Sequence, residues 1–317
     1  MPTRRVAVIA IGGNSLIIGK NAQTVQDQYK ALCVTGRHIV SLVELGYQVV
    51  VTYGNGPQVG FLLWRSEVAH ATSGLHGLPL VSCVADTQGG IGYQIQQTLK
   101  NEFLRRGLHE DSIAVLTQVV VDKDDPGFRN PTKPVGEFYA PERAEALRRE
   151  SPSWVLREDA GRGFRRYVPS PRPLEIVEEA GLKTLLASGL HLIACGGGGI
   201  PVIRTEEGYE GVDAVVDKDL TSCLLAKRLQ CDLFVISTAV PNVAIRFGTP
   251  EQEDLFRLPA AEALAYAEAG HFAPGSMLPK ILAAVDFVRA TGREAVITSP
   301  ENIRAAVLEG RGTHIVP

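Results

Sequence analysis

No run of apolar residues approaches the ~18–20 that a membrane span needs, although 45% of the 317 residues are hydrophobic. That excludes a membrane-spanning helix. No excess of charge of one sign exists either. The 32 basic and 35 acidic residues leave a net charge of −3, so the sequence carries no basic footprint for nucleic acid. Cysteine is scarce. The five cysteines (Cys33, Cys83, Cys195, Cys223 and Cys231) are odd in number, and none belongs to a C-x-x-C pair or a Cys/His cluster with zinc spacing. This predicts a reducing, cytoplasmic compartment and no structural metal. The N-terminus lacks an apolar segment with a small-residue cleavage site. Arg5–Ile11 reads instead as a first strand. Lysine is thin on the ground, nine residues against 23 arginines.

Familiar catalytic signatures are missing as well. There is no G-x-x-x-x-G-K-[ST], so this is not a Walker-A protein. The glycines at 54, 56 and 60 have the wrong spacing for a dinucleotide fingerprint. Without H-R-D or D-F-G the chain is not a protein kinase. Neither G-x-S-x-G nor H-E-x-x-H occurs.

What is present is alternation. Apolar strand-like runs at Arg5–Ile11, Gln48–Tyr53, Ser112–Val121, Leu190–Cys195, Leu233–Thr238 and Ala295–Thr298 are separated by segments of helical period. Helices are predicted over Ala22 to about Leu45, after Gly54-Asn55-Gly56-Pro57 to about His70, from about Thr87 to Arg106, and over Glu175–Ser188, Lys218–Leu229, Gly275–Ala290 and Glu301–Leu308. A hairpin is predicted over Pro201–Val216 and an edge strand over His314–Val316. Strands alternating with helices predict an open α/β sandwich in one domain spanning residues 1–317. Asp122–Pro173 breaks the pattern, with eight of the 19 prolines and nine of the 23 arginines. It reads as an inserted subdomain or lid.

Three strands end in glycine-rich turns: Gly12-Gly13-Asn14, Gly54-Asn55-Gly56 and Gly196–Gly199. In open α/β sheets the ligand crevice lies beyond the carboxyl ends of the strands, and a following helix turns free N–H groups toward an anion. One such turn means little; three in one chain point to a phosphate or carboxylate site. Phosphoryl transfer needs positive charge over the moving group, and lysine supplies a compact point charge. Most of the nine lysines fall on exposed helical positions or among acidic neighbours. Three do not: Lys133 between two prolines, Lys218 in Asp217-Lys218-Asp219 at a helix start, and Lys280 after Pro274-Gly275-Ser276-Met277-Leu278-Pro279.

Residues throughout the chain then carry a resemblance. Gly54-Asn55-Gly56-Pro57-Gln58-Val59-Gly60, Thr87-Gln88-Gly89-Gly90-Ile91-Gly92-Tyr93, Asn130-Pro131-Thr132-Lys133-Pro134, Cys195–Pro201, Val216-Asp217-Lys218-Asp219 and Gly270–Lys280 occur in this order. In these stretches the sequence resembles carbamate kinase, of the amino-acid kinase superfamily. The resemblance implies a three-layer αβα sandwich around a mixed, mainly parallel sheet, with an inserted protruding lid (residues 122–173), a nucleotide half near 200–317, and a homodimer. It implies reversible phosphoryl transfer between ATP and carbamate, so that carbamoyl phosphate and ADP give ATP. Mg²⁺ is then carried by the nucleotide phosphates, with no protein metal site.

By the same resemblance, Lys133, Lys218, Asp219 and Lys280 are the catalytic candidates. Gly12, Gly13, Asn14, Gly54, Asn55, Gly56, Arg162, Gly197 and Gly198 would bind phosphate or carbamate. Thr238, Val240, Ala273, Pro274, Gly275 and Met277 would bind nucleotide. His271 reads as structural. One segment departs from the family: after Thr238-Ala239-Val240, Pro241 stands where an acidic residue is usual, removing a carboxylate and a backbone donor. The departure touches base preference and leaves the phosphate chemistry alone. Two alternatives keep the fold: a sister small-acid kinase with another substrate or nucleotide, and a non-catalytic binder of nucleotide or carbamoyl phosphate.

Overall fold

A computed structural model describes residues 4–12, 16, 24–159 and 161–317. The chain opens with β1 (Arg5–Ile11), α1 (Val25–Glu44), β2 (Tyr47–Tyr53), α2 (Gly56–Ser73), α3 (Leu80–Arg105), β3 (Ser112–Ala114) and β4 (Gln118–Val121). An excursion follows: α4 (Pro126–Arg129), β5 (Lys133–Tyr139), α5 (Pro141–Glu150), β6 (Val155–Glu158) and β7 (Phe164–Val168). The chain returns through β8 (Pro173–Ile176), α6 (Glu179–Ala187), β9 (His191–Ile193), β10 (Ile200–Thr205), β11 (Gly208–Gly211), α7 (Lys218–Arg228) and β12 (Leu233–Ser237). It finishes with β13 (Val243–Ile245), β14 (Glu253–Leu255), β15 (Arg257–Pro259), α8 (Ala260–Glu268), α9 (Met277–Thr291), β16 (Ala295–Thr298), α10 (Ile303–Glu309) and β17 (Thr313–Val316).

Eight strands form the main sheet in the order β15-β17-β16-β12-β1-β2-β9-β3. The six strands from β16 to β3 run parallel, and β17 pairs antiparallel with β16. Parallel strands covered on both faces read as continuous apolar runs, which is what β1, β2 and β12 show. Their alternate residues feed two cores. Ala7, Ile9 and Ile11 pack with α1, α3 and α10 on one face. Val8 and Ala10 pack with α6, α7, α8 and α9 on the other. This is the expected three-layer αβα sandwich. α1 begins on a capping box, in which the Thr24 hydroxyl accepts from the Asp27 N–H and Asp27 accepts from the Thr24 N–H.

Four expectations need correction. The run Ser112–Val121 is two strands in two sheets: β3 pairs with β9, while β4 pairs with β10 and β8. Gln88 of α3 holds the crossing, accepting from the Thr117 N–H at 2.8 Å and donating to the Thr117 and Gly196 carbonyls at 3.0 Å. A continuous apolar run conceals such a change of sheet. Glu175 lies in β8 and not in a helix: it pairs opposite Val120 in the antiparallel β4–β8 ladder. α3 begins at Leu80, seven residues before Thr87. β17 is not an edge strand, since β15 pairs on its outer side.

The excursion leaves at Val121 and returns at Pro173, which are partners in the β4–β8 pair. Between them stands a three-stranded antiparallel sheet, β5-β7-β6, with a small core of Ala144, Leu147 and Leu156.

Candidate active site

The site is built at the start of α7. Asp217 caps this helix: its Oδ1 accepts from the Asp219 N–H at 2.9 Å and the Leu220 N–H at 3.4 Å. The next two residues enter the first turn. Lys218 Nζ donates to Asp219 Oδ1 at 2.6 Å. Lys280, in the first turn of α9, donates to the other oxygen of Asp219 at 3.0 Å and to the Ser276 carbonyl at 3.2 Å. Lys133 begins β5 and reaches Asp217 Oδ2 at 2.7 Å. Three ammonium groups from three distant segments are thus held by two carboxylates, and all five residues line one cavity of about 570 Å³.

The charges differ in setting. The side chains of Lys218, Lys280 and Lys133 are 10%, 14% and 37% exposed, so only Lys133 stands partly in solvent. Burial pulls the Lys218 ammonium below the usual lysine range, against the pull of Asp219. Burial also acts on Asp219, but Lys218 and Lys280 outweigh it and hold the carboxyl below the usual carboxylate range. Three ammonium groups against two carboxylates leave one net positive charge in the cavity wall.

Gly12, Gly54, Asn55 and Gly56 line the same cavity. Asn55 occupies the cap position of α2, yet its side chain donates to Thr87 Oγ1 at 2.7 Å and caps nothing. Gly56 and Pro57, in the first turn of α2, line the cavity, and a Cβ on Gly56 would meet open space. Gly13 and Asn14 lie outside the described residues. The third glycine turn follows β9. A Cβ on Gly197 would stand 2.1 Å from Asn55 Nδ2, and one on Gly198 would stand 2.2 Å from the Val216 carbonyl oxygen. Gly197 lines the cavity and Gly198 does not; close packing explains the glycine at 198.

Thr238, Val240, Ala273, Gly275 and Met277 line the cavity, and Pro274 does not. Arg162 does not line this cavity. Its guanidinium lies 4.6 Å from the Phe138 ring centroid and 3.7 Å from Asp159, away from the cavity wall. Asp159 is a local i,i+3 neighbour, and Phe138 is brought from β5. Asp217 was missed as a site residue although its cap position was legible, because its partner Lys133 is 84 positions away. Asn242, Phe247 and His271 also line the cavity. His271 additionally meets the Tyr266 ring edge-on at 5.6 Å.

The arrangement can hold two anions against each other. Helix-start amides and lysines surround one space, and the carboxylates near it are occupied. Both oxygens of Asp219 carry lysines, and those of Asp217 carry the helix cap and Lys133. Among the described residues no group of three or more His, Cys, Asp or Glu side chains could hold a metal ion.

Comparison with known proteins agrees with the geometry. The model of the amino acid kinase family matches residues 5–299. A carbamate kinase-like protein of Escherichia coli, YahI, is 48% identical, covering 99% of both chains. A carbamate kinase of Pyrococcus furiosus is 44% identical over 98% of both chains. A solved carbamate kinase from Giardia lamblia bound to AMP-PNP superposes with a TM-score of 0.94 at 42% identity, covering 100% of this chain and 99% of that one.

Proposed function

The chain belongs to the amino acid kinase family, among the carbamate kinases, and from that premise we propose how its residues divide the work. It is a phosphotransferase whose reaction passes a phosphoryl group between a nucleotide and carbamate. In the ATP-forming direction a β-phosphate oxygen of ADP attacks the phosphorus of carbamoyl phosphate. The bond between phosphorus and the carbamate oxygen breaks, and carbamate leaves with the electron pair. The leaving oxygen is already stable as an anion, so no general acid is required, and the reverse reaction needs no general base. The task is to overcome repulsion between two anions and keep them in line.

The observation that carries this reading is the Asp219 clamp. One buried carboxylate fixes two ammonium groups, at 2.6 and 3.0 Å, in the wall of the cavity. Lys218 and Lys280 neutralise the nucleotide phosphates. Lys133, presented by the excursion, holds the transferred phosphoryl group or carbamoyl phosphate. The amides at Gly12, Asn55 and Gly56 serve the charge that spreads over its equatorial oxygens, while that of Gly54 already donates to the Ile11 carbonyl at 3.1 Å. Residues 122–173 act as the lid over this side, and residues from about 200 onward form the nucleotide half. Mg²⁺ would be carried by the nucleotide phosphates, where it would screen their charge, and Asp217 and Asp219 would keep their lysines.

A homodimer in the cytoplasm is the setting we favour, with all five cysteines free, four of them buried. Light scattering on the purified protein tests the dimer. The reaction is tested by mixing protein with carbamoyl phosphate, Mg²⁺ and ADP, then GDP, and following triphosphate formation. ATP should accumulate. No triphosphate with either diphosphate would overturn the assignment and favour a binding protein.

A further inference from the structure

Lys133 is fixed in its backbone and free in its side chain. It pairs opposite Val168 across β5 and β7, and the Thr132 N–H before it donates to the Val168 carbonyl at 3.2 Å. Pro134 after it restricts its backbone to extended forms. The side chain stands partly in solvent on a flexible four-carbon stem. Among the described residues its ammonium has one polar partner, Asp217 Oδ2 at 2.7 Å. Asp217 is the opposite case. The Val215 N–H donates to the Pro169 carbonyl at 3.0 Å, which ties the approach to α7 to the same end of β7. Asp217 Oδ1 is then held by the N–H groups of Asp219 and Leu220. A rigid carboxylate thus faces a mobile ammonium.

Capping does not account for the charge at 217. Asparagine or serine caps a helix start about as well as aspartate, and the helix dipole favours an acid there only modestly. A carboxylate in the wall of a cavity that takes two anions also repels both. Among the described residues, what uses the second oxygen is Lys133. We propose that Asp217 is the positioning residue for Lys133. Its carboxylate takes one of the three ammonium donors and holds the other two for the phosphoryl group of carbamoyl phosphate. This rests on the reading that carbamoyl phosphate occupies the Lys133 side of the cavity.

A double-mutant cycle tests it. Asp217→Asn keeps an oxygen for the helix cap and turns an N–H₂ toward the ammonium. The probe is phosphonoacetamide, a carbamoyl phosphate analogue with CH₂ in place of the bridging oxygen. Calorimetry gives its Kd for wild type, Asp217→Asn, Lys133→Ala and the double variant. Asp217→Asn should weaken binding about tenfold when Lys133 is present, and less than about twofold when Lys133 is alanine. In the ATP-forming assay, kcat/KM for carbamoyl phosphate should fall about tenfold while KM for ADP stays within about twofold. Equal weakening in both backgrounds, or unchanged binding, overturns the proposal. Tighter binding by Asp217→Asn also overturns it, and would show that Asp217 competes with the anion for Lys133. A wild type that does not bind phosphonoacetamide overturns it too. Asp217→Ser, which caps but is too short to reach Lys133, serves as the second variant if asparagine prevents folding. A wild type that shows the coupling but makes no ATP would sink the reaction while leaving the role of Asp217 standing.

Discussion

At the scale of single residues, function rests on Asp219 more than on any one lysine. It touches two of the three ammonium groups and sets their separation. Asp219→Asn should therefore lower kcat by at least about a hundredfold, a size typical of a lost electrostatic element. It should also move the alkaline limb of the pH–rate profile to lower pH. The sign follows from Lys218: burial already lowers its pKa and Asp219 opposes that, so removing the carboxylate lowers it further. An unshifted limb would mean that Lys218 does not face the reaction. Asp219 itself has a depressed pKa in the folded state. Its stabilising contribution is full above the unfolded value, about 3.9, and is lost as pH falls through the folded one. The gap in melting temperature between wild type and Asp219→Asn should accordingly narrow below about pH 4. Replacing any of Lys133, Lys218 or Lys280 with alanine should cut turnover by about a thousandfold, as for other cationic groups at a transferring phosphoryl. Near-normal turnover would remove that lysine from the mechanism. The lysines were legible because each stood in a local context a surface lysine rarely has. Asp217 was not, because what decides its role is Lys133, a partner brought by the fold.

Among the elements, legibility followed burial pattern. β1, β2 and β12 were visible as apolar runs because both faces are covered. β3 and β4 were fused into one, since nothing local marks the point where Gln88 stitches the crossing. The segment 239–274, which holds β13, β14, β15 and α8, stayed unassigned. Its strands are three residues long, too short for a period to register. The glycine turn after β9 was legible as a turn, while its packing was not. Gly198 has a φ of +90° and faces the Val216 carbonyl, one residue before the cap of α7. Gly198→Ala should thus strain the backbone and displace the element that carries Lys218. We expect a loss of about 2–4 kcal/mol with a matching drop in turnover. Gly46, at φ +85° with open space around a Cβ, is the control. Gly46→Ala should cost only about 1–2 kcal/mol of backbone strain and keep turnover. Equal unfolding free energies for the two variants would show that the contact with Val216 is relaxed at little cost.

For the whole molecule, the open question is how a second small sheet is kept over the first body. The excursion is joined to it only at the β4–β8 pair, so its placement depends on contacts elsewhere. Besides the Lys133–Asp217 pair and the Val215–Pro169 hydrogen bond, those contacts lie along α2 and the start of α3. Val135 and Val168 pack with Val59, Leu63, Leu80 and Val84, and a Cβ on Gly60 would stand 3.2 Å from the Gly136 nitrogen. Beyond this apolar seat, the Tyr139 hydroxyl donates to Glu67 Oε2 at 2.8 Å. Burial pushes the Glu67 carboxyl up, and the same burial with Glu67 close by pushes the Tyr139 hydroxyl up, so the bond is a desolvated one. β5 carries Lys133 at its start and Tyr139 at its end, and one bond at the far end steadies the lysine at the near end. Tyr139→Phe keeps the ring and leaves Glu67 without that donor, a loss of about 1–3 kcal/mol. If the excursion opens as a unit, proteolysis tracks the open population, and nine arginines lie within residues 122–173. Tryptic cleavage there should rise about tenfold or more in Tyr139→Phe while cleavage of the remaining chain stays as in wild type, and KM for carbamoyl phosphate should rise with it. Uniform cleavage across the chain would mean that the variant weakens the whole fold. Unchanged cleavage would mean that the apolar seat on α2 and α3 holds the excursion down without this bond.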